Sequence, residues 1–125
     1  MTAPHRLEGV RLVHHADGER TPLASDVEIA DGLVSQTRGL MFRRSIPDDY
    51  GLAFTYDTAK ARDIHMLFVF MALDVVWIQD DVVRRVETLR PWRGFAKETA
   101  DLIVELPAGT ASAVEVGDRL VLEDD

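Results

Sequence analysis

The stretch "LDVVWIQDDVVRRVETL", residues 73–89, holds two apolar runs, 73–78 and 82–89, on either side of Gln79-Asp80-Asp81. Val, Ile and Trp dominate the first run and Val the second, and β-branched and aromatic side chains suit a pleated, packed surface. Three polar residues leave room only for a tight connection, so the two runs read as an antiparallel hairpin. This hairpin sets the class of the fold as mostly β.

The pattern on both sides extends that reading. Towards the C-terminus, 102–106 and 120–122 are short apolar runs, separated by a Pro-Ala-Gly turn at 107–109, a short helical turn near 111–114 and a Gly117-Asp118 turn. "PWRGFAKETA" (91–100) reads as a loop. Towards the N-terminus, 52–56 and 64–70 read as strands, and Asp17-Gly18 is a hairpin signal between 10–14 and 23–29. One segment departs from the β pattern. Asp31 can cap a helix in which Leu33, Thr37, Leu40, Met41 and Arg44 recur at helical spacing until Pro47. The expected architecture is therefore α+β: a single domain over 1–125, a β-barrel or sandwich with one main helix near 32–44.

Composition bounds the function. At 125 residues one core suffices, and an apolar share of 46% with 29% charged residues is that of a folded domain. The absence of cysteine excludes disulfides, thiolate metal sites and cysteine nucleophiles. No export signal or bilayer-length apolar run occurs, so a cytoplasmic chain without a membrane span is the expectation. The net charge of −8 disfavours contact with phosphate backbones, and nucleic acid is not expected as a partner. Only Lys60 and Lys97 are lysines; every other cation is arginine. An acidic, lysine-poor surface of this kind resembles the proteins of extreme halophiles.

"RGLMFR" (38–43), "HMLFVFMALDVVWI" (65–78), "ELPAG" (105–109) and "VGD" (116–118) occur in an order and spacing that resemble the prokaryotic family called domain of unknown function 192, over roughly residues 9–122. The resemblance implies a compact β-rich fold with a helix bearing the Arg-Gly-Leu-Met signature, and no established activity. With the composition it suggests a haloarchaeal member. Family members often carry Trp-Met-Lys-Asn-Thr where this chain has His65-Met66-Leu67-Phe68-Val69, so a polar site built from those side chains is in doubt here.

Few residues could carry chemistry. Arg38 could hold a carboxylate or phosphate in its guanidinium fork, or pair with Asp74 or Glu105 and brace the helix. Gly39 beside it suggests a close approach by a ligand or another backbone. Asp74 lies in an apolar strand and requires a partner or a cleft. His65 could act as a base oriented by Asp74 or Glu105, yet no nucleophile motif accompanies it. His14 and His15 are adjacent and point to opposite faces of a strand, and no other metal-ligand pattern occurs. "MLFVFM" (66–71) is apolar at both parities, hence either a strand covered on both sides or a partly exposed patch. Trp92, between Arg90 and Arg93, is either an exposed aromatic or a ring folded over the barrel end.

Three readings follow. The first is a non-catalytic binding module needing no cofactor or metal, with Arg38, Gly39 and Asp74 around a small anionic ligand and Met41, Met66 and Trp77 as apolar walls. The second is a hydrolase-like enzyme using His65 with Asp74 or Glu105. The third is an interaction module docking a protein partner through 66–71. The oligomeric state stays open.

Overall fold

The computed structural model describes residues 4–32 and 39–124. Among these, nine strands follow in chain order: β1 (His5–Arg6), β2 (Val10–Ala16), β3 (Glu19–Ala24), β4 (Asp26–Ala30), β5 (Tyr50–His65), β6 (Leu73–Gln79), β7 (Val82–Leu89), β8 (Phe95–Pro107) and β9 (Arg119–Asp124). They form one sheet in the order β1-β4-β5-β8-β6-β7-β9-β2-β3. The β4–β5 pair is parallel and every other pair antiparallel.

Both predicted hairpins form. β2 and β3 join through Asp17 (φ +54°) and Gly18 (φ +78°), and β6 and β7 through Asp80 (φ +52°) and Asp81 (φ +67°). Two successive residues at positive φ match the twist of paired strands, and aspartate is among the few side chains that accept this region.

Several expectations need correction. The sheet is open, with β1 and β3 at its edges, and neither closes into a barrel nor splits into two sheets. No helix occurs among the described residues, and the turn near 111–114 is not helical. Of the expected helix at 32–44, residues 33–38 lie outside the described residues. Residues 39–42 are turns and 43–44 irregular, because Gly39 (φ +51°) and Phe42 (φ +68°) adopt left-handed conformations that no right-handed helix contains. The run 23–29 is divided at Ser25 between β3 and β4, which pair on opposite sides of the sheet. The strand expected at 64–70 ends at His65, and the loop expected at 91–100 is largely the start of β8.

This last error has a physical cause. Residues 60–65 and 95–100 are largely polar and lack clear alternation, yet they pair with each other beyond a register shift in β5. The register sets Arg62 opposite Glu98 and Asp63 opposite Lys97. Opposite charges across an antiparallel pair support a ladder that hydrophobic patterning cannot reveal.

The centre of the sheet is apolar on both faces, and 73–78 is buried throughout. On one face Val76, Ile78, Val83, Val104 and Leu106 meet Leu12 and Ala24 from one end of the strand order and Val27 and Ile29 from the other. The sheet therefore curls on itself to bury this face. On the other face Leu52, Phe54, Val75, Trp77 and Ile103 are covered by Leu40, Met66 and Val69 from connecting segments.

Asp74 is the buried acid of the first of these faces. It sits on the curled face, where Oδ1 accepts from Thr88 Oγ1 (2.7 Å) and Oδ2 accepts from the backbone N–H groups of Gly109 (2.9 Å) and Ala111 (2.8 Å). The buried acid thus anchors the turn that follows β8. Gly94 is equally constrained, since an added Cβ would lie 2.7 Å from Leu89 Cβ and 2.8 Å from Met66 Cγ. Asp74→Ala strands two backbone donors and a hydroxyl, and is expected to lower unfolding free energy by about 3 kcal/mol, with Asp74→Asn losing less. Gly94→Ala is expected to lose about 1–3 kcal/mol through overpacking. Urea titration of each variant checks both values.

Candidate functional site

The structure does not gather the residues expected to carry chemistry. Arg38 lies outside the described residues. Gly39 stands against the sheet, where a Cβ would meet Phe54 Cζ at 3.4 Å and Glu105 Oε1 at 3.5 Å. Met66 and Trp77 are core residues rather than pocket walls, and Met41 packs half-buried beside them. The Trp77 indole N–H donates to the Arg62 carbonyl. Both oxygens of Asp74 are occupied by the fold, as described. Glu105 is buried on the opposite face of the sheet from Asp74, paired in register with Leu52 and Val75. His65 is exposed at the end of β5 opposite Phe95, ten strand positions from Glu105 along β8. The base and the two acids of the enzyme reading are thus apart.

The other histidines serve the fold. His14 Nε2 meets Asp118 at 2.7 Å, whereas His15 pairs with Glu123. The His14 contact, aided by the Glu115 N–H, holds the Asp118 carboxyl below its usual range. Among the described residues no three His, Asp or Glu side chains gather to hold a metal ion. An open cavity of about 410 Å³ is lined by Asp31, Thr55, Tyr56 and Asp57, whose two carboxylates oppose the binding of an anion there.

What the fold does gather is aromatic. Phe42 stacks on Phe68 with ring centroids 5.2 Å apart and 29° between planes; Phe68 meets Trp92 edge-on at 5.2 Å, and Phe70 meets Trp92 at 5.6 Å. The four rings come from three connections, and each stays largely in solvent: Phe42 is 55% exposed, Phe68 42%, Phe70 41% and Trp92 46%. Exposed apolar side chains occurring singly are ordinary, but a contiguous group of four rings is not.

The backbone explains how the rings come to face outward. In 66–71, Met66 and Val69 turn into the core, closed by a Val69 N–H bond to the Met66 carbonyl (3.0 Å), which leaves Leu67, Phe68 and Phe70 outside. The segment is therefore not the two-sided strand but the partly exposed patch that its composition also allows. Phe42 N–H donates to the Phe68 carbonyl (2.8 Å), Trp92 N–H to Val69 (3.2 Å) and Met66 N–H to Gly94 (3.0 Å). Phe42, Phe68 and Trp92 all have positive φ, between 62° and 68°. A bulky side chain in this region costs about 1–3 kcal/mol, and such residues concentrate at functional sites. The apolar run and Trp92 were visible in the sequence; the part of Phe42 was not, because nothing in an aromatic residue's identity announces a left-handed backbone.

Beside the platform lies a polar group on the same face of the sheet. The Tyr50 hydroxyl donates to Glu28 Oε1 (2.5 Å), which Arg43 Nη2 also meets (3.1 Å), with the guanidinium 5.4 Å from the Tyr50 ring centre. Arg43 is thus held by Glu28 and Tyr50. Burial, then the bond to Glu28, raises the Tyr50 hydroxyl pKa. Glu105 Oε1 is buried with no hydrogen-bond partner among the described residues, and burial pushes its carboxyl up to about 8. The unfolded chain releases this proton near pH 4.5, whereas the fold keeps it to about 8. Stability is therefore lost as pH rises through that window and levels off above it. Glu105→Gln is expected to remove this slope and to exceed the parent by on the order of 2 kcal/mol or more at alkaline pH, with little difference below pH 5. Thermal or urea unfolding across that range measures it.

Two solved structures share this architecture. A candidate transcription regulator from Sinorhizobium meliloti 1021 superposes with a TM-score of 0.83 at 26% identity, over 98% of this chain and 97% of its own. A protein of unknown function from Novosphingobium aromaticivorans DSM 12444 gives 0.79 at 19% identity, over 96% and 93%. No curated relative matches the chain. The model of DUF192, described as an uncharacterized ACR, matches residues 13–122 in agreement with the signature segments, and the chain belongs to that family.

Proposed function

We propose that this protein is a non-catalytic binding module whose contact surface is the aromatic platform of Phe42, Phe68, Phe70 and Trp92. One observation carries the reading: three of these rings sit on left-handed backbone, tied by hydrogen bonds between separate connections. Glycine at those positions would relieve the backbone, so exposing aromatic rings there opposes stability and requires another reason.

This shifts the expected contact surface from a pocket at Arg38 to the 66–71 segment and its neighbours. Beside Gly39 an added Cβ would meet Phe54 Cζ at 3.4 Å and Glu105 Oε1 at 3.5 Å, so the sheet itself occupies the space that a ligand would need there. The enzyme reading has no support from the placement of His65, Asp74 and Glu105. The Sinorhizobium meliloti neighbour is described as a candidate transcription regulator, which makes a nucleic acid the second reading of the partner, against the net charge of −8.

The probe for such a surface is anilinonaphthalene sulfonate, an aromatic anion that fluoresces on apolar protein. The native chain is expected to enhance its emission. Phe68→Gly and Trp92→Gly are expected to remove most of that enhancement while Tm changes by less than about 4 °C, because relief of backbone strain offsets the lost ring contacts. A native chain that leaves the dye dark, or glycine variants that bind it as the parent does, would defeat this reading.

A further inference from the structure

We infer that the partner of the aromatic platform is the surface of a bilayer containing anionic lipid; the inference rests on the docking reading above and names what docks. The platform is accompanied by cations that the rest of the molecule does not use. Arg44 follows Phe42 by two residues, and Arg90 and Arg93 flank Trp92. All three are exposed, and none has a side-chain partner among the described residues. In a chain of net charge −8, whose other arginines include several paired with carboxylates, three unused guanidiniums beside four exposed rings are a local reversal of charge. At physiological ionic strength charges more than about 8 Å away are largely screened, so the local cations decide what approaches this face.

The arrangement of the rings separates an apolar partner from a planar one. Phe68 lies between Phe42 and Trp92, and Trp92 between Phe68 and Phe70. Only Phe42 and Phe68 stack, and Trp92 meets its neighbours edge-on or tilted, so the rings form an uneven apolar cluster rather than the row of parallel open faces on which successive nucleobases stack. Leu67, 52% exposed in the same segment, offers apolar surface and no stacking at all. Aromatic and aliphatic side chains on tight connections, next in sequence to exposed arginines, suit the boundary between headgroups and acyl chains, because an arginine combines an apolar stem with a head that pairs with phosphate. A second copy of the chain fits poorly, since a two-fold interface through this face would oppose the same arginines to each other. Among the described residues no helix is long and apolar enough to cross a bilayer, so the contact is peripheral. The acidic remainder of the surface, repelled by the same lipids, orients the platform towards them.

The test is cosedimentation of the full chain with vesicles of phosphatidylcholine alone or mixed with phosphatidylglycerol, with tryptophan emission read in parallel. Trp77 is buried and supplies a constant background, so a blue shift reports Trp92. The mixed vesicles are expected to bind at least about tenfold more protein than neutral ones, with a blue shift that added salt reverses. Arg90→Glu with Arg93→Glu should abolish the preference for anionic lipid, and Phe68→Gly should weaken binding to mixed vesicles without altering the fold. Absence of binding to mixed vesicles, equal binding to both, or retention by the double glutamate variant overturns the inference. If the dye is bound at the platform but vesicles are not, the lipid assignment fails and the docking reading stands. A response of Trp92 to a single-stranded oligonucleotide instead of vesicles overturns it in favour of nucleic acid.

Discussion

The centre of the sheet is apolar on both faces, and this constraint shapes everything around it. Strands β5, β8 and β6 lie side by side, and residues of both parities along 73–78 and 103–106 are buried. A sheet of this kind needs two covers. Curling of the sheet supplies one, by bringing Leu12 and Ala24 over the same cluster as Val27 and Ile29. The other must come from the connections between strands, since no described helix is available. Leu40, Met66 and Val69 are the side chains that these connections push inward.

The platform is the outer consequence of that cover. A connection that inserts Met66 and Val69 while turning sharply must send Leu67, Phe68 and Phe70 the other way. Polar residues there would be sufficient for folding, and the family signature often places them there. In this chain the outward positions are apolar and the neighbouring connections add Phe42 and Trp92 on strained backbone. The cover thus has two apolar sides, of which the core uses only one.

Two buried acids show how location divides chemistry among similar residues. Asp74 and Glu105 lie on neighbouring strands, one register position apart, and face opposite sides of the sheet. Asp74 meets three donors and fixes the turn after β8. Glu105 meets none among the described residues at Oε1, lies beside Gly39 and keeps its proton. Neither reaches His65. A structural acid and a protonated acid therefore stand where sequence alone allows an ion pair or a catalytic pair.

The β class, the two hairpins at Asp17-Gly18 and Asp80-Asp81, the core strands at 73–78 and 102–106, and the family are all legible in the residues. These follow from local rules: turn residues, β-branched runs and the order of short motifs. Legible too are the need of Asp74 for a partner or a cleft and the apolar character of the segment 66–71 beside Trp92. Three features appear only in the folded chain: the sheet stays open, residues 60–65 and 95–100 form a ladder, and the helical spacing at 39–42 describes turns. Each depends on a pairing between residues far apart in the chain: Arg62 with Glu98, Phe42 with Phe68, Asp74 with Gly109. Such contacts are set by how the chain closes on itself, so the periodicity of a single segment carries no trace of them.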